Sequence, residues 1–471
     1  MWTIRALRLL SVFFLTINFV WWVLLLVSIF VSPPMMHARG SGFFDFSFTT
    51  LTAANLLVAL LFFANPSKAM QVMGMIIAFI LLVDLILIVA VSRLRVEEGW
   101  VGIVSVTWAF IIALYNVGTD RAVAWGKKEE EERLTGREET RRSLKEWLGV
   151  LTSTIIMVII VIVGVLLTAT LILRARDASL MAPGDHYYVD GDKYQVHLNC
   201  IGEVTHDVDG NPYPSLFIET NEDPFEYSFQ PFIEEAYKNG SFSRYCYWDR
   251  PGYAFSDNAP SPHSAGMSVE ALSEALAQAG EPGPWILVGA GFGGVHTRIF
   301  SSRHLSEIRG IVLIDAMHED LLYRVGAPGT GFILWAYGVI SPLGLDRIPP
   351  ALFNGRTRED RVYGRSAYKG GKNIKAKLQE NLVANSLTKT EVRQARTIQM
   401  TEVGRQVPLV IVSSGVECGK DAEWKNKQED LTKITDNLVA WDVVSGAPHD
   451  VWRTAAGRRT LTKRLGDLVS A

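Results

Sequence analysis

The chain has 471 residues, of which 48% are hydrophobic, with a formal net charge of -3. That length suits two to three domains of roughly 100–200 residues each, and the charge balance excludes the basic surface that nucleic-acid binding needs, so no nucleic acid is expected as a partner. Three cysteines, Cys200, Cys246 and Cys418, are too few for a disulfide framework and read as buried free thiols.

The hydrophobic excess lies before residue 175. Five apolar runs occupy 9–31, 48–64, 69–91, 100–117 and 148–173, and most reach the ~20 residues that a helix needs to cross about 30 Å of hydrocarbon. The first lacks a convincing small-residue cleavage site and reads as an anchor, not a removable signal. Trp100 and Trp147 open the fourth and fifth runs, where amphipathic indoles favour the headgroup layer. The plan is therefore four transmembrane helices in 1–120, a charged loop in 121–147 and a fifth helix in 148–174, with the lipid bilayer as partner. The loop carries the acidic run from Glu129 to Glu132 and reads as a solvated helix or loop.

Lys and Arg near the span ends set an expected orientation. Arg5, Arg8, Lys68, Arg121, Lys127, Lys128, Arg133, Arg137, Arg141, Arg142 and Lys145 fall on the side of the N-terminus. Only Arg39, Arg93, Arg95, Arg174 and Arg176 flank the other side. The positive-inside rule puts the N-terminus in the cytoplasm and the C-terminal region across the membrane. The sequon Asn239-Gly240-Ser241 fits that placement. The organelle stays open between mitochondrial and secretory-pathway membranes. Asp84 sits mid-way along the third run. A carboxylate there points either to a transport function or to a protonated group bonded to Asn55, Ser105 or Thr107.

From about residue 185 the pattern changes to short β-rich runs alternating with helical stretches, the mark of an α/β fold with a mainly parallel sheet. Candidate strands are 194–200, 215–219, 244–248, 285–288, 311–314, 409–413 and 438–443, with helices near 229–238, 269–279, 294–302 and 451–469. The stretch of about 319–405 interrupts the alternation and reads as an inserted cap.

Four segments in this region carry a family resemblance. Asp249-Arg250-Pro251-Gly252-Tyr253-Ala254-Phe255-Ser256-Asp257 resembles the turn after the fourth strand of α/β hydrolases. Leu287-Val288-Gly289-Ala290-Gly291-Phe292-Gly293-Gly294 is similar to their nucleophile elbow. The run 311–316 resembles the following strand, and Ser445-Gly446-Ala447-Pro448-His449 the loop of the catalytic histidine. The resemblance spans 185–471 and implies an α/β-hydrolase fold, a mostly parallel sheet with helices on both faces and an inserted cap. Fungal multi-span membrane proteins with a C-terminal hydrolase-like domain share this plan.

The nucleophile is missing from the matched motif. In G-x-S-x-G the serine occupies a strained strand-to-helix turn, and here Gly291 stands in its place. Glycine keeps such a turn while deleting its chemistry. On the oxyanion side the run Glu219-Thr220-Asn221-Glu222-Asp223-Pro224 replaces a small glycine-rich turn, and its acids are expected to oppose a developing oxyanion. By the resemblance, His449 is a relic base and Asp421 the acid candidate, whereas Asp315 ends a strand without a triad role.

Two enzymatic or ligand-binding alternatives accompany the pseudoenzyme reading. One is a hydrolase-family enzyme using His449 without a serine on a lipid-like or ester substrate. The other is dinucleotide binding, because Gly289, Gly291 and Gly294 satisfy G-x-G-x-x-G between a strand and a helix, with Asp315 further on. His296, His304 and His318 read as packing residues. No His/Cys/Asp group shows metal-ligand spacing, so neither a metal nor a cofactor is expected.

Overall fold

The computed structural model describes residues 2–136, 143–206 and 208–469. The chain divides into two compact units, Met1–Leu180 with Ala336–Arg358, and Met181–Trp335 with Glu359–Ala471.

The first unit holds five helices long and apolar enough to cross a membrane. They are α1 (Trp2–Phe30), α2 (Phe43–Leu61), α3 (Lys68–Ala90), α4 (Ser92–Thr135) and α5 (Leu144–Asp177). Phe48, Leu81, Val106, Ala113 and Leu167 pack inside, while Phe13, Phe19, Phe79 and Ile159 are more than half exposed. An apolar outer face suits hydrocarbon, not water. One buried charged cluster is paired: Arg174 reaches Glu97 and Glu98 at 2.5 Å each. The helix α4 turns at Gly99 (φ 60°, ψ -163°) and continues to Thr135, so much of the charged segment is helical. Arg137, Arg141 and Arg142, counted above for orientation, lie outside the described residues.

Asp84 is fully buried. Neither of its carboxylate oxygens has a hydrogen-bond partner among the described residues, so none of the three partners read from the sequence reaches it. Ser105 instead donates to Val101 O at 2.8 Å and accepts from Trp21 Nε1 at 3.0 Å. Part of the stretch 319–405 also belongs to this unit. Within it Arg347 meets Asp177 at 3.1 Å and Arg358 donates to Ser179 Oγ at 2.8 Å.

The second unit is built on eight strands: β1 (Asp185–Val189), β2 (Tyr194–Ile201), β3 (Ser215–Glu219), β4 (Tyr245–Trp248), β5 (Trp285–Ala290), β6 (Ile308–Ile314), β7 (Leu409–Ser414) and β8 (Leu438–Val444). Their order is β1-β2-β4-β3-β5-β6-β7-β8. β2 runs antiparallel to both neighbours, and β3 through β8 pair in parallel. This swapped order with one reversed strand is the α/β-hydrolase fold. Alternate residues feed two cores: Leu287, Leu313 and Ile411 face one side, and Ile286, Val312 and Val410 the other. Helices at Ala265–Ala279 and Gly293–Arg303 cover the first face, and Gln230–Lys238 and Ala455–Val469 the second.

Two sequence expectations are corrected here. β1 was not anticipated, because most of its residues are exposed and no buried alternation betrays it. Cys200 and Cys246 are not free thiols but a disulfide. They stand directly opposite each other on β2 and β4, with Cα atoms 4.0 Å apart, so side chains on the same face of the pleat meet across the ladder. Cys418 remains a buried free thiol.

Candidate functional site

Loops that follow β3, β4, β5, β6 and β8 converge at the carboxyl ends of the parallel strands, the usual place for chemistry in open α/β sheets. There β5 turns sharply into the helix Gly293–Arg303. Gly291 holds that turn at φ +51°, a left-handed conformation that glycine adopts without steric cost. Its N–H donates to Ile314 O at 3.0 Å, and its carbonyl accepts from Met317 N at 2.8 Å. The elbow geometry is therefore intact, as expected for the turn that would carry a nucleophile.

The space above the elbow is filled. A Cβ built on Gly291 would lie 2.2 Å from Asn221 Oδ1 and 2.4 Å from Asn221 Cγ. The Asn221 carboxamide thus occupies the position into which a nucleophile side chain would project. Its Oδ1 accepts a hydrogen bond from Phe292 N at 3.0 Å. Phe292 follows the nucleophile position, and in this fold the N–H of that residue belongs to the oxyanion hole. Asn221 therefore sits where a substrate oxyanion would. Arg250 fixes the loop by donating to Thr220 O at 2.9 Å and to Asn221 O at 2.6 Å.

The acids of that loop do not face the elbow as free charges. Glu219 accepts from the Trp248 indole, and burial pushes its pKa up to about 8, against the opposing pull of Arg250. Glu222 pairs with Lys377 at 2.8 Å. Asp223 lies 3.5 Å from Arg453. The oxyanion side is altered by an intramolecular hydrogen bond more than by electrostatic opposition, contrary to the sequence expectation.

His449 follows β8 and is about one-third exposed. Its Nδ1 meets Asp315 Oδ2 at 2.6 Å. Asp315 is fully buried, and its other oxygen accepts from Ser414 N at 3.0 Å and Trp424 Nε1 at 2.9 Å. Burial disfavours the imidazolium, but the hydrogen bond and charge of Asp315, with Asp450 and Glu417, outweigh it and raise the His449 pKa. The acid behind the imidazole is thus Asp315, not Asp421. Asp421 caps the helix Ala422–Leu431, accepting from Glu423 N and Trp424 N at 2.9 and 3.2 Å, and pairs with Arg324 at 2.5 Å. The turn at Asp315, with φ +43°, aims its carboxylate at the histidine loop, which sequence spacing could not show.

The dinucleotide alternative loses its cradle. A Cβ on Gly289 would meet Thr297 Oγ1 at 2.3 Å, and one on Gly294 would meet Ala316 Cβ at 2.5 Å. These glycines allow a helix to pack closely on strands; they do not open backbone to a pyrophosphate. Asp315 is already committed to three partners. His296 meets Phe292 edge-on, His304 stacks on Phe300, and His318 bonds Asp430 at 3.0 Å.

The N-terminal portion, residues 1–200, matches a family described as a region of unknown function, DUF2417. The whole chain is similar to an uncharacterized protein of Schizosaccharomyces pombe, at 34% identity over 98% of this chain and 90% of that protein. The chain belongs to the family of that fission-yeast protein. A further relative is an uncharacterized vacuolar membrane protein of Saccharomyces cerevisiae, 27% identical over 70% of this chain. The match spans 60% of that protein's length, and the vacuole named for it is neither of the compartments suggested by the sequence. Among solved structures, an α/β hydrolase from a deep-sea metagenome library covers 61% of this chain and 98% of its own, at 14% identity and a TM-score of 0.43. The Burkholderia xenovorans enol-lactonase covers 61% and 100%, at 14% identity and a TM-score of 0.39.

Proposed function

We propose that this family member is a multi-pass membrane protein whose hydrolase-fold domain is a non-catalytic binding or scaffold module. The observation that carries this reading is Asn221, whose carboxamide fills the nucleophile's space and holds the Phe292 N–H. Loss of the serine alone would leave a hole; here the hole has a resident. A serine-directed fluorophosphonate probe tests the proposal. No labelling of the C-terminal domain is the expected result, and clear labelling overturns it.

A second reading rests on the His449–Asp315 pair. A partly exposed imidazole, held at 2.6 Å by a buried carboxylate, keeps the geometry of a general base. In that reading His449 activates water toward a lipid-like or ester substrate, with Gly291 and Asn221 as binding surface. Loss of any hydrolytic activity on His449→Ala supports it, and unchanged activity removes it.

The orientation belongs to the proposal as well: the domain lies on the non-cytoplasmic side. The Cys200–Cys246 disulfide supports this, since such bonds persist in oxidising compartments. So does the exposure of Asn239 in its sequon.

A further inference from the structure

Outside that site, three residues far apart in sequence meet behind the loop that carries Asn221. They are His197 on β2, Asp249 at the end of β4 and Glu226 just after the loop. One donor atom from each lies within 4.8 Å of the others. His197 and Asp249 are almost completely buried.

The hydrogen bonding of this cluster is incomplete in a particular way. His197 Nε2 faces the carbonyl of Pro183, which only accepts, so the ring proton resides on Nε2. In a neutral ring Nδ1 is then a lone pair facing Asp249 Oδ2, another acceptor, at 2.8 Å. Asp249 Oδ2 also accepts from Phe255 N at 3.2 Å. A second proton on the ring would reconcile His197 with Asp249, but it would leave Glu226 unexplained. Both Glu226 oxygens are shut off from solvent and make no hydrogen bond. A buried carboxylate without a partner is costly.

We infer that His197, Glu226 and Asp249 bind a divalent transition-metal cation. An imidazole nitrogen with two carboxylates is a donor set suited to zinc, manganese or ferrous iron. A dication with two carboxylates and a neutral imidazole gives a site of zero net charge, which a low-dielectric interior tolerates best. The Pro183 carbonyl supplies the outer contact that metal-binding histidines commonly have, fixing the tautomer and turning Nδ1 toward the metal. The role is structural. The cation ties β2 and the end of β4 to the chain just beyond Asn221, while Arg250, next to Asp249, holds Asn221 O from the other side.

The test uses the full-length protein, purified in detergent with a tag lacking histidine and stripped with a chelator. Titration with Co2+ is followed by visible absorption, and Zn2+ by elemental analysis and thermal unfolding. The expected result is a single equivalent bound per chain, a ligand-field band with Co2+ and a higher Tm with either metal. Glu226→Gln, which preserves shape, and His197→Gln are each expected to lose the band and the Tm increase. Wild-type protein that retains no stoichiometric metal and shows no band overturns the inference. So does metal binding that survives in both variants, which would place the metal elsewhere.

Discussion

Restoring the serine alone should fail for a reason that the geometry makes quantitative. In Gly291→Ser the new Cβ would stand 2.2 Å from Asn221 Oδ1 and 2.4 Å from Cγ, closer than any stable contact. The side chain must also accept φ +51°, and a left-handed backbone costs an L-residue about 1–2 kcal/mol. Displacing Asn221 forfeits its bond to Phe292 N, worth roughly 0.5–1.5 kcal/mol. Single Gly291→Ser should therefore lower stability by about 1.5–3.5 kcal/mol from these two terms. If Asn221 keeps its place instead, the serine lacks an oxyanion donor, which typically costs about 100- to 1000-fold in rate. Gly291→Ser with Asn221→Gly removes the overlap and frees Phe292 N–H beside a serine, His449 and Asp315. The assay compares fluorophosphonate labelling and Tm for the wild type, both single variants and the pair, all as full-length protein. The double variant should label at least ~100-fold faster than Gly291→Ser, and the two changes should be coupled by about 0.5–3 kcal/mol. A single Gly291→Ser that is as stable as wild type and labels as fast as the pair would refute the plugging role of Asn221.

Asp315→Ala should destabilise the domain by about 3–5 kcal/mol, because it strips a buried charge from three donors, whereas Asp421→Ala, which removes a helix cap, should lower the Tm by distinctly less; comparing the two melts checks which acid supports His449. The Glu219 carboxyl, raised from 4.5 to about 8, binds its proton more tightly when folded, so its contribution to stability is lost as pH rises from about 4.5 to about 8. Glu219→Gln should flatten the fall in Tm across that window, and an unchanged slope would contradict the assignment. His449 is also raised: its contribution is complete below the ordinary histidine range and disappears as pH climbs through the folded value, so His449→Gln should reduce the Tm advantage of mildly acidic over alkaline buffer. For orientation, protease added to sealed vesicles should spare a C-terminal epitope, and Asn239→Gln should abolish any glycosidase-sensitive shift; digestion of the epitope in intact vesicles would reverse the topology.

The broad plan was legible because it depends on local chemistry. Bilayer-length apolar runs, alternating strand and helix grammar, and four ordered motifs all survive in a linear reading. The site was only partly legible. Gly291 and His449 sit in motifs, so spacing finds them. Asn221 lies inside a loop whose acidic neighbours carry the visible charge, and a carboxamide has none to flag it. Asp315 was passed over because the turn that aims its carboxylate is set by tertiary packing, and Asp421 was preferred on chain order alone. His197, Glu226 and Asp249 are gathered by the pairing of β2 with β4 and by the short helix Phe225–Ser228 after β3, a proximity without sequence period. The disulfide is not visible in a count of three cysteines, because it depends on the strand register that places Cys200 opposite Cys246.

The segment Ala336–Arg358 gives the chain an unusual itinerary. After leaving the helical unit at Leu180 and building most of a sheet, the polypeptide returns to the helical unit before coming back for its last two strands. A fragment starting at Met181 would therefore lack the groups that Arg347 and Arg358 meet at Asp177 and Ser179. It would also carry Leu352 and Phe353, 69% and 83% exposed even in the full chain, as an adhesive patch in water. Ribosomal synthesis faces the same ordering. The helices are made first, and the stretch 336–358 that completes their unit is made only after six of the eight strands.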